Sequence, residues 1–182
     1  MPRLILLNGP PASGKSTLAQ RYVEAHPMSL NLDIDVLRGL LGGWAGDPEK
    51  AGFVARSFAL AMATQQLGTG HDVIVPQFLG QVTFIDQLAA VAADADVRFA
   101  EVALWLERSA AIAAFSERSA APTTQSHVDA SALVDDSPRS DPVGAMYDEF
   151  AAVVESRPET VVVDVVRGDI ETTFQALCEA LR

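Results

Sequence analysis

A short apolar strand, a glycine-bounded loop and the opening of a helix follow one another at the start of this chain, and that succession constrains the fold more than any other feature. Gly9, Pro10, Pro11, Ala12, Ser13, Gly14, Lys15 and Ser16, with Thr17 next, fit the spacing G-x-x-x-x-G-K-[ST], the P-loop that wraps nucleotide phosphates. Leu4, Ile5, Leu6 and Leu7 read as a parallel strand buried on both faces. From Ser16 the period changes, with Leu18, Tyr22 and Ala25 at helical intervals. Gly9 and Gly14 lack a Cβ, so the backbone can bend tightly and turn its N–H groups inward around anionic oxygens. The first turn of the helix adds unpaired N–H groups and the positive end of its dipole. The motif sets Lys15 against the β- and γ-phosphates of a nucleoside triphosphate, ATP or GTP, and the Ser16 hydroxyl on Mg2+.

The remaining elements alternate strand and helix, which predicts a parallel sheet covered on both sides. Ser29–Ile34 is expected as the second strand, its apolar Leu30, Leu32 and Ile34 alternating with Asn31, Asp33 and Asp35. Both carboxylates then stand at the strand's exit, where ligands of open α/β sheets collect. Asp35 is expected to cap a short helix over Val36–Leu41, with Arg38 one turn beyond it. Trp44 sits in a glycine-rich loop, placed either to stack on a substrate ring or to anchor the loop. A long helix from Pro48 to Leu67 is expected to bury Phe53, Leu60 and Leu67. The third strand, 72–76, leads to Gln77 and Phe78 at its carboxyl end. Trp105 reads as core in the fourth strand, and the turn Val166-Arg167-Gly168 after the last strand is expected to contact the nucleotide base.

Residues 119–142 interrupt this alternation with Pro122, Pro138, Pro142, several Ser and Thr residues, and Asp129, Asp135, Asp136 and Asp141. A polar stretch of that length is expected to be a lid or recognition loop within a single domain spanning 1–182. The net charge of −11, from 24 acidic and 13 basic residues, opposes non-specific binding to nucleic acid. The lone Cys178 excludes an internal disulfide, which suits a reducing cytoplasm, and it reads as a packing residue of the last helix. The first apolar run is too short for a membrane span, and His26, His71 and His127 are too scattered for a metal site.

Taken together, the loop from Gly9 to Thr17, Asp35-Val36-Leu37-Arg38 after strand two and Arg118 before the polar stretch resemble the small P-loop kinases related to polynucleotide 5′-hydroxyl kinase. Chloramphenicol phosphotransferase and the zeta-type toxins are more distant members of the same group. The resemblance implies a P-loop NTPase of the nucleoside-kinase type: a three-layer α/β/α sandwich on a five-stranded parallel sheet. By the same resemblance, Asp35 would orient the acceptor hydroxyl and take its proton, with Asp33 as the competing base. Arg38 would hold the acceptor. Arg118 would reach toward the migrating phosphoryl, with Arg108 and Arg139 as substitutes. Two positions depart from the polynucleotide kinase pattern: Gln77 stands where those enzymes place an Asp after strand three, and Ala113, Ala114 and Phe115 leave little basic charge before the lid. The expectation is a kinase for a hydroxyl on a small molecule such as an antibiotic, a nucleoside-like compound or a sugar conjugate. Polynucleotide 5′-hydroxyl kinase, a nucleotide-sugar kinase toxin and an ATPase switch are the alternatives.

Overall fold

The computed structural model describes all residues, Met1–Arg182. Five strands, β1 (Arg3–Asn8), β2 (Leu30–Asn31), β3 (Val73–Pro76), β4 (Arg98–Trp105) and β5 (Val161–Asp164), form one sheet in the order β2-β3-β1-β4-β5. Every pairing is parallel, with Leu4 opposite both Val73 and Phe99. Eight helices connect and cover it: α1 (Lys15–Ala25), α2 (Ile34–Gly39), α3 (Pro48–Gly68), α4 (Thr83–Asp94), α5 (Arg108–Ala120), α6 (Gln125–Asp135), α7 (Pro142–Ser156) and α8 (Ile170–Ala180).

Alternation along β1 divides the core between two layers. Leu4 and Leu6 join Val73, Val75 and residues of α3 and α4 on one face. Ile5 and Leu7 join Ile74, Val102, Leu104 and residues of α1 and α8 on the other. This is the expected three-layer α/β/α arrangement around a five-stranded parallel sheet. Pro76 fits in the interior strand β3 because the neighbouring residue, Gln77, donates its N–H to Leu7 of β1. The proline's missing donor therefore faces the other side, where β2 has already ended at Asn31.

Four expectations are corrected. The second strand is two residues long, because the Asp33 carboxylate accepts the Asp35 and Val36 N–H groups and turns the chain into α2. Asp33 is thus the N-cap, and Asp35 lies inside the first turn. In α3 the buried ridge consists of Ala51, Ala55, Ala59, Ala63 and Leu67, while Phe53 is 69% exposed. Small side chains at every fourth position bring this helix close to the sheet and to α2, which bulky ones would prevent. Residues 119–142 are not an irregular loop. They contain α6, capped by Thr124, whose hydroxyl accepts the His127 N–H at 3.3 Å. Trp105 packs on the core as expected, against Tyr147 and Phe150 with ring centroids 5.9 and 5.7 Å away. No helix is long and apolar enough to cross a membrane.

Candidate active site

A cleft of about 1030 Å³ opens above the carboxyl ends of the strands, bounded by the loop after β1, α2, the β3 exit, α5, α6 and the turn after β5. Its floor is the loop 9–14. Gly9 lies against β4, where a Cβ would come within 2.7 Å of the Ser13 hydroxyl and 3.1 Å of Leu104. Gly14 has φ 91°, and Ala12, although not glycine, also takes a left-handed φ of 63°. Left-handed residues alternating with right-handed ones turn successive N–H groups toward one side, which makes a concave anion cradle.

Asn8, 2% exposed, holds this loop in place. Its Oδ1 accepts the Gly9 N–H at 2.8 Å and the Leu79 N–H at 2.9 Å, and its Nδ2 donates to the Leu79 carbonyl at 3.1 Å. The rim of the cradle is thereby tied to the segment after β3. Sequence reasoning missed Asn8; the available signal was a polar residue closing an otherwise all-apolar buried strand.

Lys15 donates to the carbonyls of Gly9 and Pro10 at 2.9 and 2.8 Å and has no carboxylate partner. Burial, reinforced by the charge of Arg118, lowers its ammonium to about 7. Arg118, on the last turn of α5, lies 5.0 Å over the Phe115 ring; its Nε is buried without a hydrogen-bond partner, and burial pulls its value down. Nearby, Ser16 donates to Asp33 at 3.3 Å. Burial and the neighbouring charge of Asp35 push the Asp33 carboxyl up. Asp35 pairs with Arg38 at 2.9 Å, and the Arg38 guanidinium stacks 4.7 Å from the Trp44 ring.

The structure brings most of the expected site residues into one space. Pro11, Ala12, Ser13, Gly14, Lys15, Ser16 and Thr17 line the cleft together with Asp33, Asp35, Arg38, Gln77, Phe78, Arg118 and Arg167. Trp44 does not line it and instead backs Arg38 from behind. Gly9 and Pro10 are buried beneath the loop, their carbonyls turned to Lys15. The substitutes for Arg118 are engaged elsewhere: Arg108 binds Asp141 and Asp148 at 2.8 and 2.9 Å, and Arg139 binds Glu149 at 2.7 Å. Arg167 pairs with Glu117 at 2.7 Å, bridging the turn after β5 to α5. Residues that the sequence did not single out also face the cleft, among them Leu133 and Val134 of α6 and Met146 of α7.

The donor set fits a magnesium nucleotide. Lys15 and Arg118 are cations lacking carboxylate partners beside the bent loop 9–14, and Asp33 with Asp35 forms a pair of crowded carboxylates beside the Ser16 hydroxyl. No group of three or more metal-ligating side chains exists. A divalent cation here would therefore take most of its oxygens from phosphate and water, as Mg2+ commonly does.

A family model, AAA_33, described as an AAA domain, matches residues 4–137. No curated protein matches the sequence. Among solved structures, the tunicamycin resistance protein of Deinococcus radiodurans is similar at 15% identity with a TM-score of 0.61, covering 98% of this chain and 95% of that one. A gluconokinase from Sinorhizobium meliloti 1021 is 21% identical, with a TM-score of 0.58 over 100% and 93% of the two chains. A chain in the Pnkp1/Rnl/Hen1 RNA repair complex is 15% identical, with a TM-score of 0.67 over 86% of this chain and 46% of that one. At these identities the likeness is one of fold, that of the small P-loop kinases.

Proposed function

This chain belongs to the AAA_33 family of AAA domains, and from that footing we propose that it is a phosphotransferase that moves the γ-phosphoryl of a nucleoside triphosphate to a hydroxyl group of a small molecule. The observation that carries this reading is the pairing pattern of the cations around the cleft. Arg38, Arg139 and Arg167 are each neutralised by a carboxylate. Lys15 and Arg118 are not, and both sit beside the anion cradle.

In this reading the cradle N–H groups and the Lys15 ammonium hold the β- and γ-phosphates. Ser16, with Asp33 behind it, would hold a magnesium ion, which when bound would neutralise charge on the phosphate oxygens. Asp35, carried on the first turn of α2 and kept in place by Arg38, aims the acceptor hydroxyl. It accepts the proton as the acceptor oxygen bonds to the γ-phosphorus and the bridging P–O bond breaks, releasing a nucleoside diphosphate. Arg118 spreads its charge over the oxygens of the moving phosphoryl, where positioning and charge neutralisation supply most of the catalysis. Residues 119–142, α6 included, act as the lid of a single domain.

The acidic balance of the chain, −11, supports a small acceptor over a polynucleotide. The test is incubation with γ-labelled ATP or GTP and two acceptor pools, oligonucleotides with free 5′-hydroxyls and small alcohols. Label is expected on the alcohol pool. Label on oligonucleotide alone would replace the acceptor class, and release of free phosphate with neither pool labelled would replace transfer by an ATPase switch.

A further inference from the structure

His127 lines the cleft from the first turn of α6, and the two nitrogens of its ring have different surroundings. Nδ1 is occupied: it accepts the Thr123 N–H at 3.4 Å and lies 3.2 Å from the Thr123 hydroxyl. A proton on Nδ1 would collide with that main-chain donor. Burial and the charge of Arg118 both lower the basicity of the imidazole. At neutral pH the ring is therefore uncharged and its single proton sits on Nε2, which makes Nε2 a donor. Both hydrogen bonds of the ring run from Nδ1 to Thr123, so the Nε2–H is left for the cleft.

The backbone beneath the ring is fixed too. The His127 N–H goes to Thr124, and the Ser131 hydroxyl donates to the His127 carbonyl at 3.0 Å while lying 2.9 Å from the Ser119 hydroxyl. Ser119 directly follows Arg118, so the end of α5 and the start of α6 present guanidinium and imidazole as one unit. The charge of Arg118 acts on Lys15 and is itself acted on by Asp35, which puts it between the phosphate grip and the proposed acceptor carboxylate. Helix α6 also packs against α2, which carries Asp35.

We propose that His127 is a ligand of the terminal phosphoryl of the bound nucleoside triphosphate, its Nε2–H donating to a phosphoryl oxygen beside Arg118. This deepens the phosphotransferase reading and rests on it for the presence of a triphosphate. A neutral donor adds a hydrogen bond to the anion without adding a third positive charge next to Lys15, which Arg118 already depresses. The same bond fastens the lid helix to the triphosphate, and departure of the phosphoryl to the acceptor releases it.

Two substitutions separate this role from a merely structural one. His127→Asn puts an amide oxygen near the place of Nδ1, so the bond from Thr123 survives, but leaves nothing at the place of Nε2. His127→Gln does the reverse, putting an amide N–H near the place of Nε2 and leaving Thr123 unanswered. Calorimetry on the full chain reads binding of the magnesium complexes of AMPPNP or GMPPNP, whichever base the wild type prefers, and of the matching diphosphate. His127→Asn is expected to weaken the triphosphate analogue about tenfold or more, the size of a lost hydrogen bond to a charged group, and the diphosphate less than about twofold. His127→Gln, which keeps the donor, should stay close to wild type with both. No loss in the Asn variant, an equal loss of the two nucleotides, or a loss in the Gln variant as large as in the Asn variant overturns the assignment of His127 while nucleotide binding stands. Wild type that binds neither nucleotide at millimolar concentration overturns the triphosphate reading and this inference with it. The expected pattern with no label passed to any alcohol upholds the contact and overturns transfer.

Discussion

On the reading proposed above, the donor end of the cleft is built on a main-chain loop with the side chains of Lys15, Ser16 and Arg118 beside it, whereas the acceptor end is made of side chains alone, and the contrast explains what each can vary. At the donor end the loop takes its shape from Gly14 and Ala12 in left-handed conformations and from the Asn8 clasp. Almost any substitution there alters backbone shape. At the acceptor end, the walls come from α2, α6, α7 and the residues after β3, and a substitution changes a surface without bending the chain. On that reading a fixed grip on triphosphate coexists with an adaptable pocket.

Variants at the two ends should separate these roles. The largest effect is expected from Lys15→Ala, which removes the one ammonium in the cradle: nucleotide affinity falls and transfer drops by about 10⁴-fold or more. A fluorescent-nucleotide titration beside a transfer assay measures both, and unaltered turnover would break the assignment of the donor end. Next comes Asp35→Asn, expected to lower kcat by about 10³-fold with nucleotide affinity little changed, because the amide cannot take the proton. Turnover near wild type would shift the base to Asp33. Asn8→Ala strips hydrogen bonds from the buried Gly9 and Leu79 N–H groups and should cost about 2–3 kcal/mol of stability, read from urea melts. A smaller loss would mean that the loop holds its shape without the clasp.

The smallest effect concerns pH. The Lys15 ammonium, brought down to about 7 by burial and Arg118, is lost from the free protein as pH rises through that value. Triphosphate restores it, so binding should take up a proton between about pH 7 and pH 9, and affinity should weaken over the same range. Calorimetry in buffers of different ionisation enthalpy measures the uptake. For folding the sign is opposite: the native value, about 7, lies below the reference of 10.5, so the unfolded chain holds more protons between them. This group therefore makes the nucleotide-free protein more stable as pH rises through that window.

The same division governs what could be read from the sequence. The donor end was legible because its spacing, strand and helix are local and the backbone allows few alternatives. The carboxylates of α2 were placed in the right region but with exchanged local duties. Alternation suggested a longer strand, and the capping bonds from Asp33 to Asp35 and Val36 prevailed over it. The helix α6 was hidden because none of its residues is fully buried, which left no apolar stripe to betray its period. On α3 the bulky residues drew attention while alanines form the ridge against the core. Gln77 could be seen as a departure from a pattern, but the burial of its side-chain oxygen depends on Phe78 and on the packing around it.

Asn8 carries one further implication. Because a single amide spans Gly9 and Leu79, the separation between the phosphate grip and the end of β3 is set by the length of one short side chain, like the jaw setting of a caliper. Lineages that change their preferred alcohol are then expected to redraw α2 and α6 while this gauge stays put, so a survey of relatives should find the asparagine retained where the pocket walls diverge.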